Sequence, residues 1–314
     1  MTTSIDAQYD QYLSAGLALD LTRGKPCSDQ LDLSCALEDM IAGNFKTADG
    51  TDARNYGGLL GIPDARSLGG TLLDVDPKYI MAGGNSSLTL MYQFLVWRLK
   101  AWQEDDPTQT FKFICVVPGY DRHFTICEHL GIEMISVGFD ADGPNMTKIE
   151  ALVRQDQNIK GIWCVPKHSN PTGHTYSEAT VKRLANLPNL ASKDFVLMWD
   201  NAYAAHDLDP QTMPLSNIMA HAQDAETADQ IALFASTSKI TFAGAGLAFC
   251  GLSEPMLKGF ETFLTPQMIG FDKVNQLRHA RLLKDPNDIA RHMTAHRAIL
   301  APKFKRVQKK LMPL

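Results

Sequence analysis

The segment IALFASTSKITFAGAG, residues 231–246, sets Lys239 just behind an apolar run, after Ser236 and Ser238 and ahead of a Gly/Ala-rich stretch. A free lysine amine ionises near pH ~10.4 and is a poor nucleophile at neutrality, so burial or nearby positive charge must lower that value before it can act. Once freed, such an amine can condense with an aldehyde and later move a proton to and from carbon. The segment FVLMWDNAY places Asp200 behind five apolar residues. A carboxylate is costly there unless it meets a cation or dense hydrogen bonding. A protonated ring nitrogen is one such cation, and the carboxylate would keep that ring charged and electron-withdrawing. On position alone, Asp200 reads equally as a loop aspartate capping a helix.

A third segment, GGNSSLTLMYQFLVWRLK at residues 83–100, ends a strand in a glycine turn that opens into a helix. The backbone N–H groups of Asn85 and Ser86, with their side chains, then face an anion at a helix N-terminus, most naturally a phosphate. A simple N-cap after a tight turn fits the same residues.

Positioning these groups requires an α/β framework. Short apolar runs alternate with Gly/Pro/Asn/Ser turns and longer helical segments, the pattern of a mostly parallel sheet. Strands are expected at Tyr79 to Ala82, Lys112 to Val117, Met134 to Val137, Gly161 to Val165, Phe195 to Trp199, Ile231 to Ala235 and Ala248 to Gly251. Helices are expected at Ser87 to Trp102, Phe124 to Leu130, Lys148 to Arg154 and Glu178 to Leu187. Ligands of such sheets bind beyond the carboxyl ends of the strands, where this sequence concentrates its polar motifs.

The 314 residues, 45% hydrophobic and 21% charged, fit an ordinary globular chain larger than one typical domain. A net charge of −5 provides no global field for nucleic acid or an anionic membrane. The basic cluster from Arg291 to Lys310 interleaves with Ile299, Leu300, Phe304, Val307 and Leu311 at helical spacing, the wet face of an amphipathic helix. Six scattered cysteines without a C-x-x-C pair suggest reduced thiols and a cytoplasmic setting. No secretory leader, membrane span or metal-ligand spacing is apparent.

In order, RNYGGLLGIPDAR, GGNSSL, PGYDRH, HSNPTG, WDNAY and STSK resemble the fold-type I pyridoxal 5′-phosphate (PLP) dependent aminotransferases of class I/II. The likeness is nearer to the aspartate aminotransferase-like group related to the aminotransferase modules of MocR regulators. It implies a PLP-transferase-like large domain over residues 45–288, with residues 1–44 and 289–314 forming an incomplete small α/β domain. It implies that Lys239 holds the cofactor as an imine and serves as the proton-moving base. Gly84, Asn85, Ser86, Ser236 and Ser238 would line the phosphate, and Tyr120 would stack on the ring. Asn170 and Tyr203 would bond the ring hydroxyl, and Asp200 would meet the ring nitrogen with His123 supporting it. Tyr56 would reach the phosphate of a neighbouring subunit in a homodimer. Amino acids and 2-oxo acids would be the substrates, with aspartate (or another dicarboxylic amino acid) and 2-oxoglutarate expected.

Two departures qualify that resemblance. Relatives carry an arginine in a Gly-x-Arg pattern after the lysine, where this chain has Gly244, Ala245 and Gly246. Arg23, Lys25 and Lys273 are the candidate replacements for its charge. Relatives also continue for roughly another hundred residues, the size of a compact domain, beyond the point where this chain ends in LMPL. The arginine that grips the substrate carboxylate is expected there, so a β-lyase or a catalytically impaired PLP-binding module stands as an alternative.

Overall fold

The computed structural model describes residues 4–19, 24–209 and 211–312. Its strands are β1 (Ile80–Ala82), β2 (Lys112–Val116), β3 (Glu133–Val137), β4 (Phe139–Asp140), β5 (Gly143–Pro144), β6 (Ile159–Cys164), β7 (Val196–Asp200), β8 (Ile231–Ser236) and β9 (Ala248–Gly251). The helices in the first half are α1 (Ile5–Ser14), α2 (Ser28–Asp32), α3 (Pro63–Leu73), α4 (Ser87–Asp105), α5 (Asp121–His129) and α6 (Met146–Gln155). Those in the second are α7 (Glu178–Asn186), α8 (Ile218–Asp224), α9 (Glu254–Leu264), α10 (Lys273–Leu282) and α11 (Pro286–Leu311).

Seven strands form one sheet in the order β1-β9-β8-β7-β6-β2-β3. The pairs from β8 through β7, β6 and β2 to β3 are parallel, and β9 runs antiparallel to both β8 and β1. The expected α/β class with a mostly parallel sheet is therefore present. Both faces of the sheet are covered, which explains why its strands read as unbroken apolar runs. Alternate residues divide between the two cores: Leu197, Trp199, Leu233 and Ala235 enter one, and Val196, Met198, Ala232 and Phe234 enter the other.

All the expected strands and helices occur, with shifted ends. Asp200 is the last residue of β7, paired in register with Phe234, rather than a loop residue beyond the strand. Tyr79 belongs to a short 3-10 turn rather than to β1, because Asp76 caps that turn by accepting from the Lys78 N–H. α5 begins three residues before the expected Phe124, with Tyr120 as its N-cap.

The amphipathic helix expected over 291–310 lies inside α11. Its apolar stripe is not covered as such a pattern predicts: Phe304, Val307 and Leu311 are exposed, since the buried contacts of α11 end at His296. No helix among the described residues is long and apolar enough to cross a membrane.

Candidate active site

The parallel pairing of β7 with β8 brings two distant parts of the chain to one edge of the sheet. The Asn201 N–H donates to the Phe234 carbonyl at 2.8 Å, so the turn after Asp200 is fixed against β8, two residues before Ser236. Lys239 follows in a tight turn. The N–H groups of Ile240 and Thr241 both donate to the Thr237 carbonyl at 2.8 Å, and the Leu247 N–H is held by Thr237 Oγ1 at 2.9 Å.

The Lys239 Nζ lies 4.7 Å from the centre of the Tyr203 ring, over its face. Its pKa is lowered by burial, against the pull of the Asp200 carboxylate, which favours the ammonium. The Tyr203 phenol moves the other way: burial raises its pKa, helped by the negative charge of Asp200 and by Tyr120. Amine, phenol and carboxylate thus sense one another across a single site.

Asp200 is only 3% exposed. Its Oδ2 accepts from His123 Nε2 at 3.0 Å, whereas its Oδ1 is buried with no hydrogen-bond partner. The His123 ring is in turn stacked on Trp163, with centroids 4.2 Å apart, and Tyr120 packs edge-on against it at 5.1 Å. An uncompensated buried carboxylate oxygen costs on the order of 1–3 kcal/mol, so a site that keeps one is set up for a cationic or donating group from outside the chain.

The glycine turn expected to meet an anion lies on the same edge. Ser238 Oγ donates to the Asn85 carbonyl at 3.1 Å, Asn85 Nδ2 donates to the Gly244 carbonyl at 3.2 Å, and the Ala248 N–H donates to the Gly84 carbonyl at 2.8 Å. Gly84, Asn85, Ser86, Ser238 and Lys239 therefore form one neighbourhood, and Ser236 closes it at the end of β8. Ser86 is the N-cap of the 19-residue α4, yet its side chain makes no capping bond and is uncommitted.

The Gly244-Ala245-Gly246 stretch has a steric reason for its composition. A Cβ on Gly246 would sit 2.7 Å from Ser238 Oγ and 2.9 Å from the Ser238 backbone N and Cα, so no side chain fits there. Asn275 Nδ2 donates to the Gly246 carbonyl at 2.9 Å and holds the loop against α10.

The three candidate cations fare differently. Arg23 lies outside the described residues, and Lys25 is exposed on the N-terminal segment. Lys273 is buried, but its Nζ is spent on the carbonyls of Tyr56 and Gly57 at 3.1 and 2.9 Å. Tyr56 itself is 85% exposed, so its ring covers little of its own chain. Asn170 is likewise exposed, in a cis peptide with Pro171.

Several groups carry no local signal in the sequence. Lys167, just ahead of the HSNPTG motif, is buried and donates to Asp207 Oδ2 at 2.7 Å and to the Ala204 carbonyl at 3.0 Å. His168 Nε2 lies 3.0 Å from Asp207 Oδ1, so the NPTG loop is pinned to the segment that carries Tyr203. Burial would raise the Asp207 pKa, but hydrogen bonds from His168 and Lys167 outweigh it and leave the value lowered. His206, three residues past Tyr203, packs edge-on to that tyrosine at 5.4 Å, and its two buried ring nitrogens make no hydrogen bond of ordinary geometry. The nearby Lys239 carbonyl favours its protonation slightly, but burial and the charges of Lys239 and His296 win and push its pKa down to about 3.

A profile of the family described as aspartate amino-transferase matches residues 1–313. The chain belongs to that family. Family membership makes it an aminotransferase whose cofactor is pyridoxal 5′-phosphate. The chain is similar to an aspartate aminotransferase of Corynebacterium glutamicum, 43% identical over 315 residues that cover 96% of this chain and 71% of that one. Among solved structures, an aspartate transaminase of Corynebacterium glutamicum superposes with a TM-score of 0.91 at 43% identity, covering 97% of this chain and 73% of the other. The LysN α-aminoadipate aminotransferase of Thermus thermophilus shares the fold, with a TM-score of 0.73 at 17% identity over 96% of this chain and 74% of its own.

The residues of this aminotransferase fit the cofactor of its family. A protonated pyridine nitrogen can satisfy the unpartnered Asp200 Oδ1, and a phosphate can take the open N-terminus of α4 beside Ser86 and Ser238. Lys239, desolvated and beside Tyr203, can supply the amine.

Proposed function

We propose that this aminotransferase moves the amino group of a dicarboxylic amino acid, aspartate, to 2-oxoglutarate, with Lys239 as the residue that carries the cofactor. The observation that carries this reading is the buried Asp200 Oδ1 without a partner, in a site where the Lys239 amine stands over Tyr203. The substrate pair is supported by the 43% identity to the aspartate aminotransferase of Corynebacterium glutamicum.

When bound, pyridoxal 5′-phosphate supplies an aldehyde carbon and a cationic ring that draws electrons from the substrate Cα. In the proposed roles, Asp200 holds the proton on the ring nitrogen, and His123 orients Asp200 through its 3.0 Å hydrogen bond. Gly84, Asn85, Ser86, Ser236 and Ser238 receive the phosphate, and Tyr120 covers the ring. Asn170 and Tyr203 donate to the ring hydroxyl. Lys239 Nζ, freed by the substrate amine, would take the proton from the substrate Cα and deliver it to the former aldehyde carbon of the cofactor. Burial suits it to that role, because its lowered pKa leaves more of the amine free near neutrality.

We also propose a homodimer in which the exposed Tyr56 reaches the phosphate of the neighbouring site. A cytoplasmic setting is supported by Cys115, Cys127, Cys164 and Cys250, all buried free thiols.

Borohydride reduction of the loaded protein, followed by peptide mapping, tests the lysine. A stable adduct on Lys239 is expected, and an adduct on any other lysine overturns the assignment. Product analysis with aspartate and 2-oxoglutarate tests the reaction. Oxaloacetate and glutamate in equal amounts are expected, whereas release of pyruvate and ammonia from a cysteine conjugate, without transamination, would replace the reading by a lyase.

A further inference from the structure

Two loops carry the residues assigned to the chemistry: the turn Thr237–Thr241 with Lys239, and the segment after β7 with Tyr203. One turn of α11 contacts both. His292 and His296, a helical turn apart, bring Nε2 to 2.6 and 2.9 Å from the carbonyl oxygen of Ile240, the residue next to Lys239. On the following residue, Arg297 Nε donates to the Asp207 carbonyl at 3.0 Å, four residues beyond Tyr203. Positions 292 and 296 lie on one face of the helix, and Arg297, turned about 100° from His296, reaches the second loop from the adjoining face.

Proton bookkeeping fixes the state of the histidine pair. A carbonyl oxygen only accepts, so both Nε2 atoms must carry hydrogen, which makes each neutral ring an Nε2–H tautomer. The two Nε2 atoms are 3.2 Å apart, and protonating both rings would set two cations side by side. Burial, then the charge of His292, lowers the pKa of His296. Ser34 Oγ adds a third, longer approach to the same carbonyl at 3.4 Å. From α10, His279 Nδ1 faces the Asn275 carbonyl at 2.9 Å and must donate to it, so the Thr241 hydroxyl is the donor to His279 Nε2 at 3.0 Å.

Other charged and titratable groups surround this cluster. His206 senses the charges of Lys239, His296 and His168. Lys167 and His168 approach from the NPTG loop through Asp207.

We propose that His292, His296 and Arg297 form a brace that sets the placement of Lys239 relative to Tyr203. All three are positioning residues: they touch the backbone of the two loops and act through it. The catalytic consequence rests on the assignment of Lys239 made above, while its effect on the ionisation of that amine does not.

The test compares H292F/H296F, which removes both donors, with H292Q/H296Q, which offers amide N–H donors in their place, and with R297M. The first readout is the pH dependence of acetic anhydride labelling of Lys239 in cofactor-free protein, followed by peptide mass mapping. The second is kcat against KM in the loaded enzyme. In H292F/H296F and R297M the labelling midpoint should move up toward the ordinary lysine value of 10.5 as the turn loosens into solvent. In the same variants kcat should fall about tenfold or more, with KM within about twofold, because misplacement by ~1 Å slows chemistry more than binding. H292Q/H296Q should stay near wild type in both.

A lowered melting temperature with an unchanged labelling midpoint in H292F/H296F overturns the brace and leaves a merely structural role. If that variant does not fold, H296L against H296Q decides: a shift in the leucine variant alone supports the brace, and no shift in either overturns it. Failure of the Lys239 assignment would appear separately, as a reduced cofactor adduct on another lysine.

Discussion

His123 donates through Nε2 to Asp200 Oδ2 at 3.0 Å, while the other oxygen of the same carboxylate is buried and unbonded. The two halves of one side chain thus have different tasks. One is anchored by the protein through an imidazole stacked on Trp163, and the other is left for the proposed cofactor nitrogen. Removing the anchor should cost most when the cofactor is also absent. H123F should therefore lower stability by about 3 kcal/mol or more in the cofactor-free protein, since it leaves a buried carboxylate with neither partner. The loss should be smaller after loading. D200N should lower kcat on the order of 10²-fold or more, since it removes the charge that keeps the ring protonated. Paired thermal melts and steady-state kinetics check both, and equal destabilisation of loaded and cofactor-free H123F would contradict the division of tasks.

The ionisation of Lys239 should depend on Asp200 with a definite sign. Burial lowers the lysine pKa and the carboxylate raises it, so wild-type Lys239 should label with a midpoint below 10.5. Taking the charge away in D200N removes the opposing pull, and the midpoint should move lower still. Quantitative mass spectrometry of the labelled peptide across pH reads this directly. An upward shift in D200N would mean that the amine and the carboxylate are not neighbours.

His206 should give the fold a dependence on acid. Its pKa is pushed down to about 3, while an unfolded chain binds the same proton near 6.5. Between those values the unfolded state holds more protons, so stability falls as pH drops from about 6.5 toward about 3. H206F keeps an aromatic ring without the titration, and its unfolding midpoint in urea should fall less steeply over that window. Identical slopes in the two proteins would show that His206 is protonated in the folded state.

Space at Gly246 is a separate constraint. G246A forces a Cβ to within 2.9 Å of the Ser238 backbone, and backbone cannot step aside as a flexible side chain does. A loss of about 1–3 kcal/mol is expected, together with weaker cofactor retention, since Ser238 also holds the Asn85 carbonyl. Equilibrium dialysis of the cofactor and a melting curve check the two parts. A variant as stable and as well loaded as wild type would remove the steric account of this loop.

Much of this arrangement is legible in the amino-acid sequence. Apolar runs followed by WDNAY and STSK identify strand ends, because a sheet buried on both faces leaves polar residues only where its strands stop. The spacing between Asp200 and Lys239 gives no hint of their closeness; the parallel pairing of β7 with β8 provides it. Arg297 reads as part of the wet side of an amphipathic helix, and nothing local to His292 or His296 distinguishes a solvated histidine from one aimed at a carbonyl 52 or 56 residues away in sequence. Lys273 is a candidate phosphate cation on its charge alone. Its burial against two carbonyls is a tertiary fact that no window of neighbours encodes.

A single ammonium that grips the oxygens of Tyr56 and Gly57 settles the path of that loop within one chain. The aromatic ring beside it is thus displayed from a support already in place. Whatever surface comes to meet Tyr56 finds its backbone committed, and little freedom is left to be surrendered on contact.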